Sequence, residues 1–307
     1  MTEEEGMLTE RDAELREEEG RSTDHDGLYK ELLRVFFREF MELFFAEAAA
    51  QIDFTHVEFL SEEVVVDIVG STKKRLDILV KTRLKGEEMF ILVHTEPQSY
   101  YEKEYPERMF IYAARLYEKY RLRVLPIALL SHRRKVEEPD RFGWSLPFLN
   151  VLQFQYYRLQ LRKYNWREFI QSDNPVAAAL LSSMHYNEED KVQLKLEFVR
   201  MMTRLELDTA RAALLTAFFD TYLPMNKEEH RQVQHEMKRI YGEGGYVMKL
   251  ESGWAKLARE EGREEGREEG VRETARNMLG KGFARELIAE LTGLPLEQIA
   301  KLQNLKK

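Results

Sequence analysis

Arg75-Leu76-Asp77-Ile78-Leu79-Val80 decides the reading of this chain, together with the run Met89 to Thr95 that leads into Glu96-Pro97-Gln98. The first stretch sets one carboxylate inside an apolar, β-branched strand, expected over Leu76 to Leu84. A charge buried there is costly unless a cation compensates it. The second run is a strand that ends on another carboxylate, and the polar Gly86-Glu87 pair marks the turn between them. A two-residue turn at that point pairs position 77 with 96, whereas a turn one residue earlier pairs 77 with 94. Both registers leave Asp77 and Glu96 on one sheet face. Side-chain alternation brings Gln98 to that face if the strand runs on past Pro97.

Two carboxylates and an amide are hard oxygen ligands suited to Mg2+ or Mn2+, and such an ion supports phosphodiester hydrolysis. The competing reading is two strand ends that simply reach solvent, and spacing alone favours it. Accessory candidates are Lys81, four residues along from Asp77 on the same strand face, and Lys30 and Asp26 on the first helix. Arg108 stands one turn before Tyr112 on the helix that follows Gln98, so that helix's amino end is expected to face a phosphate.

Working outward, Asp24 is expected to cap a helix running to about Ala50, with Leu28, Leu32, Val35, Phe36, Phe40, Leu43 and Phe44 as its apolar stripe. Further strands are expected at Val64 to Val69, Val124 to Leu130 and Val151 to Leu161, with a helix from Glu102 to Tyr120. The fold class is α/β, a mixed sheet flanked by helices, followed by a helical C-terminal region. That region, Trp166 to Tyr241, is broken at Asn174-Pro175 and Leu223-Pro224. Residues 1–22, with nine acidic side chains among the first twenty, are read as a disordered arm. The proposed divisions are a core over 23–161, a helical region over 162–250, a charged helix over 251–280 and a small helical hairpin over 281–307.

In the charged helix Gly262, Gly266 and Gly270 recur every fourth residue, a bare stripe that would let a second copy approach and form a homo-oligomer through residues 254–280. In the hairpin, Thr292-Gly293-Leu294-Pro295 separates two short helices. It resembles a helix-turn-helix, but Arg285, Lys301, Lys306 and Lys307 are a thin supply of phosphate contacts, so packing or dimerisation is the preferred reading. Phe154, Tyr156 and Tyr157 are read as core rather than as a base-stacking platform.

The 307 residues contain no cysteine, which excludes disulfides, thiolate metal sites and a cysteine nucleophile. The net charge of -8 speaks against a broadly basic nucleic-acid coat, although the acidic arm supplies much of it. Without a leader peptide or an uninterrupted apolar span, a cytoplasmic location and no membrane partner are expected.

Asp24-His25-Asp26-Gly27-Leu28-Tyr29-Lys30, then Asp77, Glu96-x-Gln98-Ser99 and Arg108-Met109-Phe110-Ile111-Tyr112, resemble in that order the bacterial Rpn family of recombination-promoting nucleases. These are often labelled putative transposases and belong to the PD-(D/E)XK superfamily. Asn174-Pro175-Val176-Ala177, the charged glycine repeats and Thr292-Gly293-Leu294 resemble its later segments. The resemblance implies a restriction-endonuclease-like fold, Mg2+-dependent DNA cleavage and a role in DNA mobility. It implies that Asp77 and Glu96 hold the metal and that Gln98 occupies the position where the superfamily has lysine. Glutamine carries no positive charge, so the alternative is a catalytically silent interaction protein that keeps the fold and acts through its C-terminal helices.

Overall fold

The computed structural model describes residues 27–60, 77–96, 105–131, 137–242 and, further on, 256, 270–271, 274–275, 277–279, 281, 283–296 and 298–299. The chain divides into two compact units, residues 1–251 and 252–307.

In the first unit the turn between the two deciding strands falls at Lys85-Gly86, where both residues have positive φ, 51° and 86°. Such a pair closes a two-residue hairpin whose twist matches the flanking strands, and glycine tolerates the second position without strain. Strands β2 (Asp77–Leu84) and β3 (Glu87–Glu96) are therefore antiparallel in the earlier of the two expected registers, with Asp77 opposite His94. Together with β1 (Ile52–Phe59), β4 (Arg123–Leu130) and β7 (Tyr157–Gln160) they form one sheet in the order β1-β2-β3-β4-β7. The β1-β2-β3 ladders are antiparallel, and the β3-β4-β7 ladders are parallel. The fold is thus mixed α/β, a five-stranded sheet flanked by helices.

Each face of this sheet has its own cover. Leu79, Phe90 and Leu92 pack with Tyr112 and Leu116 of helix α4 (Tyr105–Tyr120), which crosses from β3 to β4. Ala128 and Leu130 meet Tyr105 and Met109 at the beginning of the same helix. The opposite face carries Phe54, Phe59 and Tyr157. Phe37 packs its ring against Phe54 and Phe59, and Phe45 packs against Tyr157. Phe37 belongs to helix α2 (Phe37–Phe44), which follows α1 (residues 27–35) and precedes the single turn α3 (Ala46–Ala49). The expected single helix to Ala50 is in fact three pieces, with non-helical dihedrals at Phe36 (φ −123°, ψ 36°) and Phe45 (φ −136°, ψ 47°), and both of these side chains are buried.

Helix α5 (Pro175–Leu180) is buried at all six residues. Asn174 caps it, accepting from the Val176 amide at 2.9 Å, while its Nδ2 donates to the Glu39 carbonyl at 2.8 Å. One side chain thus stops the incoming chain, starts a helix and ties it to α2. Helices α6 (Lys191–Leu205), α7 (Thr209–Tyr222) and α8 (Lys227–Tyr241) complete this layer, with Phe198 stacked on Phe219 at 4.1 Å and Tyr29 edge-on to Phe218 at 4.8 Å. The sheet's covering helix and the helical region therefore share one core.

Two strands depart from the sequence reading. The alternation in β1 is hidden by a bulge between Asp53 and Glu58, which moves the apolar phase from positions 52 and 54 to 57 and 59. The stretch Val151 to Leu161 is not one strand. It splits into β6 (Leu149–Gln155), which pairs with the unanticipated β5 (Arg141–Leu146) as a separate two-stranded ribbon, and β7 of the main sheet. The expected strand at Val64 to Val69, the arm and most of the glycine stripe lie outside the described residues. No helix among the described residues is long and apolar enough to cross a membrane.

Candidate active site at the sheet edge

The pairing Asp77 to His94 fixes the geometry of the site from the backbone alone. Opposed residues of a ladder share a face, so positions 77, 94 and 96 share theirs, and 77 and 96 are diagonal neighbours about 7–8 Å apart. That spacing lets an Asp and a Glu reach a common ion, and two carboxylates set side by side are the donor set that a divalent cation suits. The shared face is the one that carries Leu79 and Leu92, hence the face covered by α4. Gln98 and Asp26 lie outside the described residues.

The ladders extend these rows across the sheet. Position 94 pairs with Ala128 and Ala128 with Arg158; position 96 pairs with Leu130 and Leu130 with Gln160. Arg158 and Gln160 therefore stand on the same face and at the same level as the two carboxylate positions. Arg158 donates to the Glu138 carbonyl and to the Glu137 carboxylate, which holds the Glu137 carboxyl below the usual range. Gln160 accepts from the Glu138 amide at 3.3 Å.

The amino end of α1 reaches the same edge from the other face. Tyr29 is buried, its hydroxyl donates to Ser183 Oγ at 3.0 Å, and it also bonds with Ser131, the residue after Leu130. Burial pushes this phenol up to about 12, against the opposing pull of the Ser183 and Ser131 hydrogen bonds and the Arg162 charge. It is a neutral brace rather than a base.

The second unit is a small bundle of its own. Ala275, Ile288 and Ile299, from three successive helical stretches, are fully buried together, with Met278, Leu279, Ala289 and Leu294 packed against them. Helix α9 (Arg285–Thr292) ends at Gly293, whose φ of 73° gives a left-handed cap, and the Thr292 hydroxyl accepts from the Leu294 amide at 3.4 Å. Residues 268–304 match the family model of the C-terminal HTH domain of the Rpn/YhgA-like nuclease family. The match supports membership of that family. The segment read as a helical hairpin resembling a helix-turn-helix, with packing or dimerisation preferred, thus matches a helix-turn-helix family model, which suggests DNA binding. Comparison with curated proteins and with solved structures gives no match.

The accessory candidates are placed by the strands and helices that carry them. Lys81 shares the face of Asp77, but its ammonium meets Glu88 at 3.1 Å, and Glu88 lies opposite Arg83, so Lys81 is held toward the far end of the strand. Lys30 is partly buried on α1 next to Tyr29, on the helix that precedes α2. Arg108 lies with its guanidinium 5.2 Å from the centre of the Tyr105 ring, and Tyr105 packs on Leu130, the partner of position 96. Arg108 is thus linked through Tyr105 to the strand partner of position 96, and Lys81 is held toward the other end of its strand. The sequence reading missed Arg158 and Gln160. Their signal is faint, a first charge after the uncharged run from 142 to 157.

Proposed function

We propose that the chain is a Mg2+-dependent (or Mn2+-dependent) endonuclease that hydrolyses phosphodiester bonds of DNA and serves recombination or DNA mobility, with Asp77 and Glu96 as metal ligands. The observation that carries this reading is the register: Asp77 opposite His94 sets two carboxylate positions diagonally on one face, at the end of the sheet where α4 begins. The HTH domain supports DNA as the substrate. When bound, the ion supplies a more acidic water and neutralises charge on the scissile phosphate.

The remaining work falls to the chain's own groups. Asp77 and Glu96 bind, and Gln98, two residues on, orients the attacking water through its amide. Arg108, beside the amino end of α4, faces the phosphate with a permanent charge and takes the part that lysine plays in the superfamily. The helix-turn-helix unit holds the duplex by its backbone.

Incubation of the full chain with supercoiled DNA and Mg2+ or Mn2+ tests the reading. Wild type is expected to nick and linearise the plasmid, and Asp77→Ala and Glu96→Ala to leave it supercoiled. Equal cutting by all three proteins, or none by any, would sink it.

A further inference from the structure

The ribbon β5–β6 is built to be covered, and the described residues cover only half of it. Its sixteen-residue stretch from Phe142 to Tyr157 holds no charged side chain, in a chain in which a third of residues are charged. The register places Phe142 opposite Phe154 and Trp144 opposite Leu152, so these four share a face; Ser145, Gln153 and Gln155 belong to the other. At its base the apolar face is anchored: Phe142 stacks on Phe110 of α4 at 5.5 Å, and Phe154 meets the same ring at 5.5 Å. Gly143 lets the strands close at this point, since a Cβ there would run into the Leu152 carbonyl. Beyond the anchor Trp144 meets Phe142 edge-on at 5.8 Å, and among the described residues no other ring contact continues the packing. Trp144 is 50% exposed, Leu146 48%, Phe148 83%, Leu149 56% and Val151 44%.

We propose that this ribbon is the surface through which two copies of the chain associate. The five side chains offer on the order of 500 Å2, at the upper end of what a lone monomer tolerates. Two such ribbons set against each other bury roughly 1,000 Å2, the threshold for a specific interface. Each copy carries a net charge of -8, so like copies repel wherever charged faces meet, and this uncharged face is where they do not. DNA is a poor occupant. The flanking cations are already engaged, Arg141 by Asp140 at 2.9 Å and Arg158 by Glu137, and the stretch between them offers no charged phosphate contact. Among the described residues each strand of the ribbon also has a backbone edge without a ladder partner, which suits isologous pairing across a two-fold axis. This inference stands on the ribbon alone and does not depend on the nuclease reading.

Sedimentation velocity of the full-length wild type across a concentration series, beside the double variant Trp144→Glu, Phe148→Glu, tests it. Both side chains are half or more exposed and the Phe142–Phe110–Phe154 anchor is left intact, so circular dichroism and Tm should stay unchanged. A concentration-dependent dimer is expected for wild type, with its dissociation constant raised at least about 30-fold in the variant, as loss of an aromatic hot spot implies. A wild type that stays monomeric throughout, or a dimer equally tight in both proteins, overturns the proposal. So does a monomeric wild type that floats with phosphatidylcholine vesicles when the variant does not, since the face would then belong to lipid.

Discussion

Asp77 stands opposite His94 in the β2–β3 ladder, which makes Glu96 its diagonal neighbour on the same face. Two carboxylates so placed repel when no cation lies between them, a cost that natural proteins carry at working sites. Asp77→Asn should therefore abolish cleavage by about 10³-fold or more, as loss of a metal ligand does, and at the same time raise stability by about 0.5–1 kcal/mol in metal-free buffer. Mg2+ at ten times its dissociation constant should stabilise wild type by about 1.4 kcal/mol and Asp77→Asn much less. Differential scanning calorimetry with and without Mg2+ checks both. A variant less stable than wild type in EDTA would make Asp77 a structural residue.

Arg108 beside Tyr105, and Lys81 paired with Glu88, lead to opposite expectations for two cations that look alike in the sequence. Arg108→Met should lower plasmid cleavage by about 10²-fold, the scale of losing one transition-state donor, with partial recovery in Arg108→Lys. Lys81→Met should cut like wild type. A defect in Lys81→Met without one in Arg108→Met would reassign the cation.

How much of this was legible in the sequence follows from the physics of each element. The β2–β3 hairpin was, because apolar runs bounded by Lys85-Gly86 leave two adjacent registers, and both give the same face for positions 77 and 96. Strand β1 was not, because its bulge breaks the period that reveals a strand. Ribbon β5–β6 was not legible either, because its second strand overlaps the single strand expected over Val151 to Leu161 and its first strand shows no clear alternation. Arg158 and Gln160 could not be placed without the parallel β4–β7 ladder, which no local pattern announces. The helix-turn-helix was visible as an outline, but its thin positive charge argued against the function that the family match supports.

Asn174 caps α5 through Oδ1 and holds the Glu39 carbonyl through Nδ2. The two roles separate chemically. Asn174→Asp keeps the cap acceptor and loses the donor, leaving a partly buried carbonyl facing a carboxylate; Asn174→Ala loses both. A cap is worth about 1 kcal/mol and a side-chain hydrogen bond to a partly buried helix carbonyl about 0.5–1.5 kcal/mol. Urea unfolding should show Asn174→Ala destabilised by about 1.5–2.5 kcal/mol. Asn174→Ser, which keeps a cap oxygen without the donor's reach, should fall between Ala and wild type. Equal stability of all three would mean that α5 is held by burial alone.

Asp190 ties the short turn Glu188–Asp190 to the turn Trp166–Glu168, accepting from Arg167 Nη2 at 2.7 Å and from the Asn187 amide at 3.0 Å. The Arg167 hydrogen bond first, and the Asn187 amide second, hold its carboxyl below the ordinary range. A carboxyl whose folded value lies below its unfolded value of about 3.9 stabilises fully above that pH and loses the contribution as pH falls through the folded value. Asp190→Asn should accordingly be less stable than wild type by about 1.5–3 kcal/mol at pH 7, the worth of hydrogen bonds to a charged group. The gap should hold down to about pH 5 and then close as the wild-type carboxylate takes up its proton. Urea titrations of both proteins at pH 7, 5 and 3 decide it. A gap that keeps its full size at pH 3 would show that Asp190 acts by shape and not by charge.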